Sequence, residues 1–282
     1  MTLWTMKNKP FATMTIAGSD SCGGAGIQAD IKTMSALGCY ATSCITAITA
    51  QNTMEVTDIM ATNPNTLSAQ IECVLNDFDI LATKVGMIYT SENVMAIKQS
   101  LQKMKYKGYL IIDPVLIATS GSKLAKTDFL HTLSSELLPM ADLITPNIYE
   151  AETLCGFKIS NKNEMIIAAK TMQDNLNIKS VLIKGGHLLG EEMTDIYLND
   201  KREIKEYSLK KLDSNNTHGT GCTLSSAICS FLALGFDIHQ AIEKAKNYVY
   251  CAIKEASNMD LGHGHGSLNH FFAPQKLYKN FQ

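Results

Sequence analysis

Between residues 11 and 183, short β-branched or aliphatic runs alternate with stretches of helical apolar spacing. The segment 11–17 reads as a first strand, and Ile27, Ile31, Met34 and Leu37 then recur at helical intervals before Gly38. Residues 42–50 form a continuous run suited to a strand buried on both faces. Further short strands are expected at 82–85, 109–112, 143–145 and 181–183. Asn63-Pro64 supplies a helix cap and first position, and the pairs Asn161/Glu164 and Asp237/Gln240 have the spacing of capping boxes. Residues 193–207 differ, with a polar turn at 199–202 between two apolar runs, which predicts an antiparallel hairpin at a sheet edge. Strand and helix in unbroken alternation predict an α/β fold with a mainly parallel central sheet and helices on both faces. Ligands in such folds sit beyond the carboxyl ends of the strands.

A chain of 282 residues can hold one large domain or two ordinary ones. No Pro/Gly/Ser-rich linker divides it, so residues 11–282 are expected to form a single domain behind a loose extension at 1–10. A charged share of 18% suits a sheet buried on both faces. With 25 Lys plus Arg against 27 Asp plus Glu, nothing supports a nucleic-acid or anionic-membrane partner. No apolar run is long enough to span a bilayer, and residues 1–10 have no apolar secretory core, so a cytoplasmic protein is expected. None of the eight cysteines forms a C-x-x-C pair, and most are expected to be small buried hydrophobes in a reducing compartment.

The sharpest local feature is His218-Gly219-Thr220-Gly221-Cys222-Thr223, directly before the apolar helical face of Leu224, Ala227, Ile228, Phe231 and Leu232. Glycines let the backbone turn sharply, and the N–H groups that open a helix lie at the positive end of its dipole. Gly219, Thr220 and Gly221 therefore form a candidate phosphate cradle. Neither the G-x-x-x-x-G-K-[ST] nor the G-x-G-x-x-G spacing is present. Cys222 falls in the first turn of this helix, where the dipole is expected to lower its thiol pKa.

Several motifs then occur in order: AGSDSCGGAGIQAD at 17–30, TAITAQNT at 46–53, KVGM at 84–87, DPV at 113–115, TPNIYE at 145–150, KGGH at 184–187, HGTGCT at 218–223 and GHGHG at 262–266. Together they resemble the hydroxymethylpyrimidine and hydroxymethylpyrimidine-phosphate kinases of thiamine synthesis, in the ribokinase superfamily. The resemblance implies a ribokinase-like three-layer sandwich and ATP-dependent phosphorylation of 4-amino-5-hydroxymethyl-2-methylpyrimidine, first to the monophosphate and then to the diphosphate. It implies ATP and Mg²⁺ as the nucleotide and ion, a small pyrimidine as acceptor, and a homodimer. It places Cys222 as the catalytic group that takes the hydroxymethyl proton. It places Gln51 at the aminopyrimidine edge, where a carboxamide can match a donor and an acceptor together. Asp30 would stand nearby as a second acceptor, with Met87 packed on the ring.

Asn147-x-x-Glu150, one helical turn apart, would orient a hydrated Mg²⁺ together with Asp113, and Lys184 would reach a phosphate. Each of these four also has an ordinary reading. Asn147 and Glu150 suit a capped helix, Asp113 a turn before Pro114, and Lys184 a solvated turn. The histidines of residues 262–266 with His270 invite a transition-metal reading, which the glycine-rich family pattern disfavours. His187 is expected to make only local hydrogen bonds. Residues 117–123, with Ser120-Gly121-Ser122, have the composition of a flap over the site. Two alternatives stand beside the main reading: a pyridoxal kinase of the same lineage, and a non-catalytic nucleotide or pyrimidine sensor.

Overall fold

The computed structural model describes residues 8–116, 127–186, 188 and 190–281. The elements follow in this order: β1 (Asn8–Pro10), β2 (Ala12–Asp20), α1 (Gly26–Ala36), β3 (Tyr40–Gln51), β4 (Val56–Ala61), α2 (Pro64–Asp77), β5 (Ile80–Val85), α3 (Ser91–Lys103) and β6 (Tyr109–Ile112). After α4 (Thr127–Thr132) come β7 (Leu143–Ile144), α5 (Ile148–Cys155), α6 (Lys162–Leu176), β8 (Val181–Ile183), β9 (Glu192–Leu198), β10 (Ile204–Lys210), α7 (Thr220–Ala233), α8 (Ile238–Ala256) and β11 (Lys279–Phe281).

Nine strands among the described residues form one sheet in the order β10-β9-β8-β7-β6-β5-β2-β3-β4. The six from β8 to β3 are parallel. The expected hairpin is β9–β10, paired antiparallel with Ile204 opposite Leu198. The opposite edge also carries an antiparallel strand, β4, which the sequence reading missed. The glycine-rich stretch after β2 begins later than expected, because the strand runs on to Asp20. Asn8, Lys9 and Pro10, expected within a loose extension, lie in a strand. Asn8–Pro10 pairs with Lys279–Phe281, and Lys9 forms an ion pair with Asp79.

Period-2 alternation distributes the core between two layers. In β6, Leu110 and Ile112 face one cluster and Ile111 the other; in β8, Val181 and Ile183 face one and Leu182 the other. Helices α2 to α6 cover the first cluster, and α1, α7 and α8 cover the second. Helix α7 is apolar nearly all round because it lies between the sheet and its neighbouring helices. Two of its serines are satisfied within the helix, Ser225 and Ser230 donating to the carbonyls of Gly221 and Ser226, while Ser226 donates to Asp30.

The three expected caps form. Asn63 accepts from Asn65 N, Asn161 from Glu164 N, and Asp237 from Gln240 N. The Asn161 box is only half closed, since Glu164 accepts from Ser160 N instead. No helix among the described residues is long and apolar enough to cross a membrane. Residues 117–123 and His187, singled out in the sequence, lie outside the described residues.

Candidate active site

The carboxyl ends of β2, β3, β6 and β8 bring Asp20, Gln51, Asp113 and Lys184 to one end of the sheet, where α1 and α7 begin. Helix α7 starts after Gly219, whose φ of 83° belongs to the left-handed region. A side chain there would also run into the carbonyl of Gly24. Only glycine makes this turn without strain. Thr220 corrects one expectation: both its N–H and its hydroxyl donate to Thr217 O, so it shapes the loop. The N–H groups of Gly221 and Cys222 have no acceptor among the described residues and are left as the anion donors.

Facing them is an ion pair. Lys184 Nζ lies 2.7 Å from Asp113 Oδ1, which also accepts from Thr145 Oγ1 at 3.1 Å. A Cβ on Gly221 would stand 3.2 Å from Lys184 Nζ and 3.3 Å from Asp113 Oδ2, so the absent side chain leaves the pair open to the cradle. The backbone fixes Lys184 as well, its N–H donating to Pro146 O at 2.9 Å. Below it, Gly185 N donates to Asp195 Oδ1 at 2.9 Å, and Lys246 holds Asp195 Oδ2 at 2.6 Å.

Asn147 and Glu150 form a complete capping box on α5. Asn147 Oδ1 accepts from Glu150 N at 2.9 Å, and Glu150 Oε2 accepts from Asn147 N at 2.7 Å. Asn147 is thus engaged as a cap rather than held free for a metal. Glu150 is buried, and burial raises its carboxyl pKa to about 7; Asp113 adds to the rise and Lys184 opposes it.

Cys222 is half-buried, and its thiol departs from expectation. Burial comes first in raising its pKa to about 11, Asp30 and Asp113 add to it, and Lys84 with the N–H of Gly26 opposes it. The helix dipole is outweighed by desolvation and two carboxylates. The other cysteines divide: Cys39, Cys44 and Cys229 are buried as expected, whereas Cys22 and Cys73 are exposed.

Asp30 does not face a ligand. It is fully buried, with Lys84 Nζ at 2.8 and 2.9 Å from its two oxygens, Ser226 Oγ at 2.6 Å and Thr15 Oγ1 at 2.6 Å. Every oxygen is occupied, so the expected pyrimidine contact is withdrawn. The sequence reading gave Lys84 no role, although a lysine inside a strand of five otherwise uncharged residues was a visible signal.

Gln51 is half-buried at the end of β3. Its Oε1 accepts from Thr49 Oγ1 at 3.2 Å, and its backbone is tied to Ser21 Oγ. Met87 is half-buried, and its Sδ would lie 3.1 Å from a Cβ on Gly18. His218, another residue without an assigned role, donates from Nε2 to Asp20 Oδ2 at 2.9 Å. Burial raises the Asp20 pKa, but hydrogen bonds from His218, Ala25 and Cys22 prevail and bring it down to about 2. The histidines of residues 262–266 are exposed, while buried His270 bonds Thr223 Oγ1 at 3.0 Å; these three form no metal cluster. The glycine stretch instead latches onto residue 53, with Gly264 N and His265 N donating to Thr53 Oγ1 and Thr53 O.

The family model described as phosphomethylpyrimidine kinase matches residues 20–269. A hydroxymethylpyrimidine/phosphomethylpyrimidine kinase of Rhizobium meliloti is 42% identical over 92% of this chain and 96% of its own. A crystal structure of phosphomethylpyrimidine kinase from Clostridium difficile is 45% identical, covers 86% of this chain and 99% of its own, and superposes with a TM-score of 0.76. The pyridoxal kinase of Bacillus subtilis, solved as an ADP complex, is 31% identical over 92% of this chain and 96% of its own, with a TM-score of 0.82. The motifs, the ribokinase-like sandwich and the match over residues 20–269 agree: this chain belongs to the phosphomethylpyrimidine kinase family.

Proposed function

We propose that this chain transfers the γ-phosphate of ATP to the hydroxymethyl oxygen of 4-amino-5-hydroxymethyl-2-methylpyrimidine, and then a second phosphate to the monophosphate. The observation that carries this reading is the facing of the free Gly221 and Cys222 N–H groups by Lys184, 2.7 Å from Asp113, at the carboxyl end of the sheet. Backbone donors and a lysine can hold the oxygens of a phosphoryl group in flight. Gln51 Nε2 and Met87 offer a polar edge and an apolar face for the pyrimidine ring.

In the first step the hydroxymethyl oxygen bonds to the γ-phosphorus as the bond to the β–γ bridging oxygen breaks and ADP leaves. The hydroxyl is held by a hydrogen bond to Cys222 Sγ, and its proton ends on an oxygen of the transferred phosphoryl group. In a loose transition state that proton leaves late, so a thiol pKa near 11 suits a group that positions the hydroxyl more than one that strips it. In the second step the nucleophile is a phosphate oxygen, which needs no such help.

A magnesium ion suits the donor set. Asp113 and Glu150 offer hard oxygens, and burial raises the Glu150 pKa to about 7, so a cation bound there would favour its ionised form. These two would hold the ion and Asn147 would fix the Glu150 rotamer; when bound, the ion neutralises charge on the phosphates. We place the protein in the cytoplasm as a homodimer. Support for pairing comes from edge strand β4, where Met60 is 60% exposed opposite Ile48, itself 48% exposed.

The test is phosphate transfer from Mg-ATP to the hydroxymethylpyrimidine, its monophosphate and pyridoxal in parallel. Turnover of both pyrimidines well above pyridoxal is expected. Pyridoxal as the sole acceptor would move the assignment to the activity of the Bacillus subtilis neighbour. No turnover with nucleotide still bound would leave a sensor.

A further inference from the structure

Three side chains of different chemistry converge where β2 meets the start of α7, and the phosphoryl chemistry above uses none of them. Asp20, Cys22 and His218 each offer one ligand atom, and these atoms all lie within 4.8 Å of one another. His218 Nε2 is 2.9 Å from Asp20 Oδ2, and Cys22 Sγ is 3.4 Å from the same oxygen; Gly24 N and Ala25 N also donate to it, at 3.1 and 2.8 Å, so an ion would take the places of the His218 and Cys22 protons and keep the two backbone bonds. Around a tetrahedral zinc ion with ordinary bond lengths, oxygen and sulfur ligands stand about 3.5 Å apart, and oxygen and nitrogen about 3.3 Å. The first spacing is already met. The second is a proton-bridged contact that opens by a few tenths of an ångström when an ion replaces the proton.

The protonation states suit an ion as well. Hydrogen bonds hold the Asp20 carboxyl ionised down to about pH 2, so no proton competes there. His218 meets the carboxylate through Nε2 and can ligate through that atom when the ring carries its proton on Nδ1. Cys22, beside Asp20, keeps its thiol proton until an ion displaces it. Binding thus releases one proton and strengthens as pH rises.

Access is a separate observation. Asp20 and His218 are buried, but Cys22 is exposed and lines a cavity of about 550 Å³ with Lys32, Met54, His263 and Phe271. An ion entering from that cavity meets the sulfur first and keeps an open position toward solvent. A thiolate and an imidazole select zinc-like ions over magnesium, so this place does not compete for the ion suited to Asp113 and Glu150.

We propose that Asp20, Cys22 and His218 form a binding site for a thiophilic divalent cation of the zinc type, entered through the Cys22 cavity. The site fastens two loops together. His218 directly precedes Gly219, and a Cβ on Gly24 would collide with the His218 ring. An ion there clamps the entry to α1 against the phosphate cradle and slows the kinase.

Cobalt(II) provides the probe, because its bond to a thiolate absorbs in the near ultraviolet. The full chain is stripped with chelator, desalted and titrated with Co²⁺ as wild type, Cys22→Ser and Cys222→Ala. One equivalent is expected to saturate the band in wild type and in Cys222→Ala, with affinity rising about tenfold per pH unit. In Cys22→Ser the band should vanish, and Zn²⁺ inhibition of Mg-ATP turnover should need at least about tenfold more metal. Turnover without Zn²⁺ should be kept in Cys22→Ser. Absence of any band, a band that survives in Cys22→Ser, loss of the band in Cys222→Ala, or equal Zn²⁺ inhibition of wild type and Cys22→Ser would overturn the proposal.

Discussion

Two lysine–aspartate pairs lie under the same helix start, and they are built differently. Lys84 and Asp30 are wholly buried, and Thr15 and Ser226 complete the carboxylate. Lys184 keeps 15% of its side chain exposed, and its partner Asp113 faces the gap left by Gly221. The first pair joins β5 to α1 and, through Ser226, to α7. The second ends between the unpaired N–H groups that open α7 and Glu150, whose carboxyl burial raises to a pKa of about 7. The same two residue types therefore serve cohesion where every hydrogen bond is made, and ligand binding where some are left unmade.

The largest expected effect comes from breaking the sealed pair. Lys84→Met leaves the buried Asp30 carboxylate without its cation and with only the Thr15 and Ser226 hydroxyls, and should cost about 3–5 kcal/mol of stability, read from the urea midpoint. Lys184→Met should move that midpoint far less, since the Lys184 side chain is 15% exposed and Glu150, with a pKa of about 7, can take up a proton. Equal losses would erase the distinction drawn here.

Asp20 tests the middle ground, a buried carboxylate paired with a histidine. Its folded pKa of about 2 lies below the ordinary 3.8. Its stabilisation is therefore complete above pH 3.8 and lost as pH falls through about 2. Asp20→Asn should remove about 2 kcal/mol at neutral pH and flatten the difference from wild type in acid. A difference independent of pH between 5 and 2 would place the stabilisation elsewhere.

The parallel core was legible because apolar runs such as those of β6 and β8 signal burial on both faces. β4 was not, since its six residues are all partly or fully exposed and carry no such run. The turn that opens α7 was legible because glycines directly before an apolar helical face mark a helix start. What sequence could not give was partnership across the chain. Asp30 sits 54 residues from Lys84 and 196 from Ser226, so its motif suggested a ligand contact that the fold had already used. The Cys222 thiol failed for the same reason. The helix dipole is a local property, whereas the burial and the two carboxylates that overrule it come from three other parts of the chain.

If the open pair acts on the phosphoryl group, both phosphorylations need it, whereas Cys222 serves only the acceptor that has a hydroxyl proton to lose. The deciding measurement is kcat/KM for the hydroxymethylpyrimidine and for its monophosphate, in wild type, Lys184→Met and Cys222→Ala. Lys184→Met should lose about 10²–10³-fold on both acceptors alike, and Cys222→Ala should lose activity on the first while largely keeping the second. Equal losses in Cys222→Ala, or a Lys184→Met defect confined to one acceptor, would contradict the division of labour proposed for this site.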